Sequence, residues 1–418
     1  MKRTLCLVVA GTLAATSISA SAVTYTVTKL ADTSDGICDA DCSLREAVVA
    51  ANASADDDVI AFAPAVFGSA QTITLTSGEI AVGNNGTLSI NGPGANLLTL
   101  DGNNASRIIV NDAATSAISG LRLIRGNSQG LLDSGRGGAI YNAAGNLVLS
   151  AVVIDGNAST LGGGGLNTAS GGITRIQSST ILNNTATGSG GGLQNFSGCF
   201  LTIVDSTISD NTSNGSTGGG GGQLNGTALI VNSTISGNSA PAGSGGGFQS
   251  NGSLLEVINS TIANNSSLTN GGGLHRGTTN INGYLRNTII AGNFGVAASP
   301  DVTALDSINS LGNNLIGITG TSTGWIASDL LDQNAMLGLL VNNGGSTFTH
   351  ALTIGSPAID AGDDCVLART CASNNAPFNI ATDQRGWLRP AGPSLDIGAF
   401  EFGAINPDVI FANGFDSP

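Results

Sequence analysis

From residue 145 to residue 295 the apolar positions do not keep a helical spacing. They alternate over short stretches, as at Leu201 and Ile203, break off, and resume at Ile208. Alternation with period two is the mark of a short strand with one buried face. The same pattern returns at a fixed interval. The isoleucine of each S-T-I-like unit falls at Ile154, Ile181, Ile208, Ile235 and Ile262, in steps of 27 residues; Ile290 follows after 28, and Ile124 lies 30 before the first. Five positions before each marker stand Leu149, Ile176, Ile203, Ile230, Val257 and Leu285, all aliphatic. Clusters of glycine separate the units, at 162–165, 190–192, 218–222, 245–247 and 271–273.

A period of this length predicts coils stacked on coils. Short strands separated by turns fill each coil, and equivalent residues then lie above one another at about 4.8 Å, the strand spacing. The fold expected is all-β: a right-handed parallel β-helix of about 27 residues per coil. No unit can bury its own apolar faces, so stability comes from neighbours. Three positions beyond each marker stands an asparagine, including Asn157, Asn184, Asn211, Asn238 and Asn265. Stacked at a bend, these form a structural ladder whose amides satisfy backbone groups along the axis. One position before the marker stand Thr180, Thr207, Thr234 and Thr261, expected to point outward as a regular hydroxyl ladder.

A stack has two open ends, each a liability for edge pairing. At the start, Ser43 followed by Glu46 is a capping box, and a short helix over 43–53 is expected to cover the first coil with Leu44, Val48 and Val49. The organisation read from the chain is a signal peptide at 1–22, an N-terminal cap at 23–55, the β-helix at 56–330, a small C-terminal capping domain at 331–403 that closes the other end, and a sorting tail at 404–418.

Composition narrows the class. Glycine supplies 62 of 418 residues, aromatics 4% and charged residues 10%, yet hydrophobics reach 41%, so the chain has a core to bury and is not a linker. Lys2 and Arg3, an apolar run from Leu5 to Ala15 and an Ala20-Ser21-Ala22 cleavage site read as an export signal. Its removal takes the net charge from −14 to −16 and leaves Lys29 as the only lysine. Such a surface does not hold nucleic acid by counterion release, and no later segment is long enough to span a bilayer. Cys38 with Cys42, and Cys365 with Cys371, read as two local disulfides of an oxidising compartment. Cys199 is left as a buried free thiol.

The stretch "CSLREAV" at Cys42–Val48, preceded by "DTSDGICDADC", resembles the N-terminal signature of bacterial CSLREA-domain surface proteins. The middle, with "GGAIYN" at 137–142, is similar to the parallel β-helix repeats of polymorphic outer-membrane proteins. "THALTIGSPAIDAGDDC" at 349–365, "TDQRGWLRP" at 382–390 and "DIGAFEF" at 396–402 resemble the choice-of-anchor Q domain. The resemblance implies a pectate-lyase-like β-helix displayed at, or released from, a bacterial cell surface; it implies no reaction.

The search for chemistry yields little. A lyase on this scaffold needs acidic ligands and a basic residue; His275 and Arg276, read as exposed in a glycine turn, and Asp210 are the catalytic candidates. Asp32, Asp35, Asp39 and Asp41 form the one candidate calcium loop, without the D-x-D-x-D-G register of a calcium-binding hand. Asp360, Asp383, Arg385, Arg389, Asp396 and Glu401 are read as a salt-bridged cap. No cofactor is expected. The functional expectation is a non-catalytic, monomeric, exported protein that binds an extracellular polysaccharide or cell-surface ligand. A polysaccharide lyase or glycoside hydrolase is the alternative, and ice binding by the threonine ladder a remote one.

Overall fold

The structure is a computed structural model, and it describes residues 22–83, 85–129, 133, 135–279, 282–295 and 300–407. The proposed signal peptide and most of the proposed sorting tail lie outside the described residues. The core is a parallel β-helix. Among the described residues its coils form three long sheets of 11, 11 and nine strands and a short one of five. One coil shows the plan. Phe200–Val204 lies in the first sheet, Thr207–Ser209 in the second, Thr212–Ser213 in the fourth, and Gly222–Leu224 in the third.

The period becomes contact directly. Ile154, Ile181, Ile208, Ile235, Ile262 and Ile290 are successive partners in the second sheet. The aliphatic column from Leu149 to Leu285 is stacked likewise in the first sheet, and both columns are buried in one continuous core. The asparagines carry the corner after the second sheet. Asn184 donates through its backbone N–H and its Nδ2 to Asn211 Oδ1, both at 2.9 Å, and Asn211 Nδ2 donates to Asn238 Oδ1 at 2.9 Å and to Ile181 O at 2.9 Å. The same bonds join Asn157 to Asn184, and Asn238 to Asn265.

The corner between the first and second sheets carries a second ladder. Ser179 N–H donates to Ser206 Oγ at 3.1 Å and Ser206 N–H to Ser233 Oγ at 3.2 Å, while each hydroxyl donates back to a carbonyl two residues earlier in its own coil. The residue before each serine has positive φ, at Ser178, Asp205, Asn232 and Asn259. Asparagine and aspartate tolerate that left-handed backbone better than other side chains, which explains their recurrence there.

The N-terminal helix runs Leu44–Ala53, with the Ser43–Glu46 capping box formed in both directions. Leu44, Ala47, Val48 and Ala51 face the core, whereas Val49 is exposed, contrary to the sequence reading. On a helix, residues three and four apart share a face, and Val49 falls off the Leu44–Val48 stripe. Cys38–Cys42 and Cys365–Cys371 are disulfides, and Cys199 is a buried free cysteine. No described helix is long and apolar enough to cross a membrane.

The segment after the last helical strand, Leu330–Leu331, does not close the stack as the sequence suggested. It folds into a lobe that lies along the flank of the coils. Part of the end of the stack is met instead by Trp325 and Leu331, which pack on the main core. The lobe docks through apolar contacts and polar ones. Ile289, Ala291 and Leu315 of the second sheet pack with Ala335, Leu352, Ala358, Ile397 and Phe400. Val231 and Ile258 of the first sheet pack with Val366, Cys371, Ile380 and Leu395. Between them the lobe reads the threonine ladder: Thr207 donates to Phe348 O at 2.6 Å, Thr234 to Gln384 Oε1 at 2.6 Å, and Ala399 N–H donates to Thr261 Oγ1 at 3.1 Å. Thr207, Thr234 and Thr261 are therefore buried. The hydroxyl ladder that could have met ice meets protein instead.

The lobe is ionic inside. Arg389 and Glu401 form a fully buried pair at 3.2 Å. Arg385 pairs with Asp383 at 2.7 Å, and its guanidinium stacks between Trp387 and Phe400, 3.8 and 3.7 Å from the ring centres. The expected salt-bridged unit exists, at the side of the helix.

Asp205 marks a pH dependence at this seam. Its carbonyl accepts from Thr347, while its Oδ1 is sealed from solvent without a hydrogen-bond partner. Burial, with Asp383 adding to it against the pull of Asn232, pushes its carboxyl up to about 6; burial does the same to Asp396 in the lobe. A carboxyl whose folded pKa lies above its unfolded value binds more protons when folded. Stability is then highest below about pH 4 on this account and falls as pH rises through 4 to 6. Asp205→Asn, which restores the asparagine of Asn232 and Asn259, is expected to raise stability by about 1–2 kcal/mol at neutral pH and by little at pH 4, as thermal melts at the two pH values will show.

Candidate functional site

The lobe covers only part of the second sheet. Beyond it, two outward columns remain as an open floor. One runs Arg122, Val153, Thr180 and reaches the covered Thr207; the other runs Ile124, Asp155, Leu182 and Ser209. Alternation forces these side chains outward because Leu123, Ile154, Ile181 and Ile208 point into the core. The rim is the lobe hairpin, Leu337–Val341 paired antiparallel with Thr349–Leu352, whose tip brings Ser346 and Phe348 over the floor. Two adjoining cavities of about 450 and 340 Å³ result, sharing Arg122, Val153, Thr180 and Ser346.

The first cavity is open and of mixed lining, bounded also by Asn96, Ala151, Val152, Ser178, Gly94 and Gly120. The second is walled by Val153, Leu182, Leu340 and Phe348, with Ser209 and Asp210 at its edge. Arg122 is ion-paired to Asp155, which also accepts from Asn183 Nδ2 at 2.9 Å. Asp210 is exposed, and among the described residues its side chain makes no hydrogen bond or ion pair.

The structure separates the sequence candidates. Asp210 lies at this groove. His275 and Arg276 lie in the third sheet, on a different face, within the strand Leu274–Arg276 and not in an exposed turn. Arg276 is wholly buried: its Nη1 donates to Ser307 O and pairs with Asp306 at 3.4 Å. It occupies room left by Gly283, whose added Cβ would sit 2.7 Å from Arg276 Nε, at an inner row filled by Leu201 and Leu255 in earlier coils. His275 continues an outward line of amides. Asn167 donates to Gln194 at 2.8 Å and Gln194 to Gln223 at 2.6 Å, then Gln249 and His275 follow in register. His275 Nδ1 is 2.7 Å from Thr303 Oγ1, and burial lowers its pKa. Neither residue shares a cavity with Asp210, so the three do not make one catalytic group.

The acidic loop is spent on structure. Asp32 pairs with Arg45 at 2.8 Å and accepts from Thr76 and Ser77 N–H. Asp35 and Asp39 accept from backbone N–H groups two residues on, and Asp41 faces Lys29 at 3.3 Å. Among the described residues no group of three or more acidic, cysteine or histidine side chains is placed to hold a metal ion. Sequence reasoning misses the groove residues Arg122 and Phe348. Arg122 and Asp155 stand in register positions that could have been read from the repeat, whereas Phe348 belongs to a lobe whose docking site no periodicity encodes.

No protein-family model matches the chain, and no curated protein matches it. Among solved structures, the crystal structure of pectate lyase Pel9A is similar, with 16% identity and a TM-score of 0.47 over 92% of this chain and 97% of that one.

Proposed function

We propose that this chain is an exported bacterial surface protein of the CSLREA and choice-of-anchor Q type, monomeric, that binds an extracellular polysaccharide without cleaving it. The groove between the second sheet and the lobe is the binding surface. The observation that supports this reading is the groove's chemistry. It is long, its floor sets the hydroxyls of Thr180 and Ser209 among Val153 and Leu182, and its one arginine is already paired with Asp155. Sugar chains are matched by such linings, apolar against the C–H faces of the rings with a few placed polar groups for the hydroxyls. General acid–base chemistry needs a free acid and a free base aimed at one bond, and the paired Arg122 does not supply the base.

A second reading, a lyase or hydrolase, is favoured by one observation: Arg122 and Asp210 line the same cavity. Both readings meet in one experiment. The full chain is incubated with a polysaccharide panel, and binding is followed by calorimetry while unsaturated and reducing ends are assayed. Binding without new ends, weakened about tenfold by Arg122→Ala, is the expected result. New chain ends that vanish in Arg122→Ala or Asp210→Asn would replace binding by catalysis.

A further inference from the structure

The second cavity differs from the first in a way that selects its occupant. Its walls are aliphatic and aromatic: Val153, Leu182, Leu340 and Phe348, the last 51% exposed. Its edge carries Asp210. The carboxylate stands on a left-handed turn residue with φ 56° and leans over the next coil, where a Cβ added to Gly237 would lie 2.5 Å from Asp210 Oδ1. Glycine at 237 leaves that carboxylate uncovered. Arg122 and Asp155 neutralise each other, so the charge of Asp210 is not compensated within the groove, and the whole chain carries −14. A polyanionic chain entering here meets like charge at its destination and across the surface.

Resting on the reading of this groove as a polysaccharide site, we infer that its ligand is an amine-bearing glycan, with a protonated amino sugar held at Asp210 and its ring face on Phe348 and Leu182. An ammonium group gains an ion pair that a neutral sugar lacks, and the apolar walls accept the C–H face of the ring. An acetylated amine has no charge to offer, and a uronate has the wrong one.

The test uses the full chain at about pH 5.5, where amines are protonated, with a β-1,4-linked glucosamine oligomer, its N-acetylated counterpart and an oligogalacturonate of equal length. The glucosamine oligomer is expected to bind about tenfold more tightly than the acetylated one, and raised salt to narrow the gap. Asp210→Asn, at an exposed turn that asparagine suits, is expected to abolish the preference, the glucosamine oligomer losing about tenfold more affinity than the acetylated one; Phe348→Ala is expected to weaken both. A glucosamine preference that survives Asp210→Asn, or oligogalacturonate binding as tight as glucosamine binding, overturns the inference. Binding of the acetylated oligomer with no amine preference overturns the inference alone. Failure of all three glycans to bind overturns the groove reading with it.

Discussion

Asn211→Ala is expected to destabilise the protein by about 3–5 kcal/mol, more than any exposed turn substitution in the same coil. Asn211 is wholly buried, and four hydrogen bonds at 2.9 Å pass through its amide: from Asn184 N–H and Nδ2 to its Oδ1, and from its Nδ2 to Ile181 O and Asn238 Oδ1. A made bond is worth about 1 kcal/mol net, but a buried donor or acceptor left without a partner costs about 1–3 kcal/mol. Alanine leaves Asn184 N–H without its acceptor and removes one bond to Ile181 O, in a corner where the Asn211 amide lies against Gly192. Asn264, at φ 59° on the exposed turn immediately before Asn265 and two coils on, is the comparison. Asn264→Ala is expected to cost about 1 kcal/mol, the strain of a left-handed alanine. Urea denaturation decides it: equal losses for the two variants would show that the inner amides are spacers and that the axial network contributes nothing.

Arg389→Ala is expected to release the lobe while the β-helix stays folded. Nη1 of Arg389 donates to Asp396 O at 2.9 Å and to Glu401 at 3.2 Å, and Nη2 donates to Gly398 O at 2.7 Å. Both members of the pair are sealed from solvent. Glu401 is already raised by burial, with Arg389 the chief influence holding it down. Removing one partner of a buried pair strands the other charge, at about 3–5 kcal/mol. The loss falls on the lobe, because the coils are held by neighbours and do not depend on Arg389. Limited proteolysis is expected to cut within residues 331–403 in the variant only, with the β-sheet circular dichroism signal retained. Because Phe348 and Ser346 rim the groove, glycan binding is expected to disappear in the same variant. A protease-resistant variant with an unchanged melting temperature would mean that the apolar seams of Ile289 and Val231 alone hold the lobe.

The coils, the asparagine ladder, the capping-box helix and both disulfides were legible in the chain because each is local or periodic. In a stack, a separation of 27 residues is a contact, so a column of letters is already a column of neighbours. Three readings failed for the opposite reason. Val49 was assigned to the core from hydrophobicity alone, when helix geometry turns it outward. His275 and Arg276 were assigned to an exposed turn because charge beside glycine ordinarily means solvent; here Gly283 supplies an interior space for Arg276. The C-terminal segment was placed at the end of the stack because solenoids need covering there.

What the sequence alone determined is therefore the coil and its register, since those depend only on each unit repeating the last. The position of the lobe is settled by packing between distant segments, and with it the burial of Thr207, Thr234 and Thr261, the shift of Asp205 and the existence of the groove. Thr207 and Gln384 bond at 2.9 Å across 177 residues. Their hydroxyl and amide are side chains that suit water as well as each other, so no hydrophobic pattern announced that they would meet.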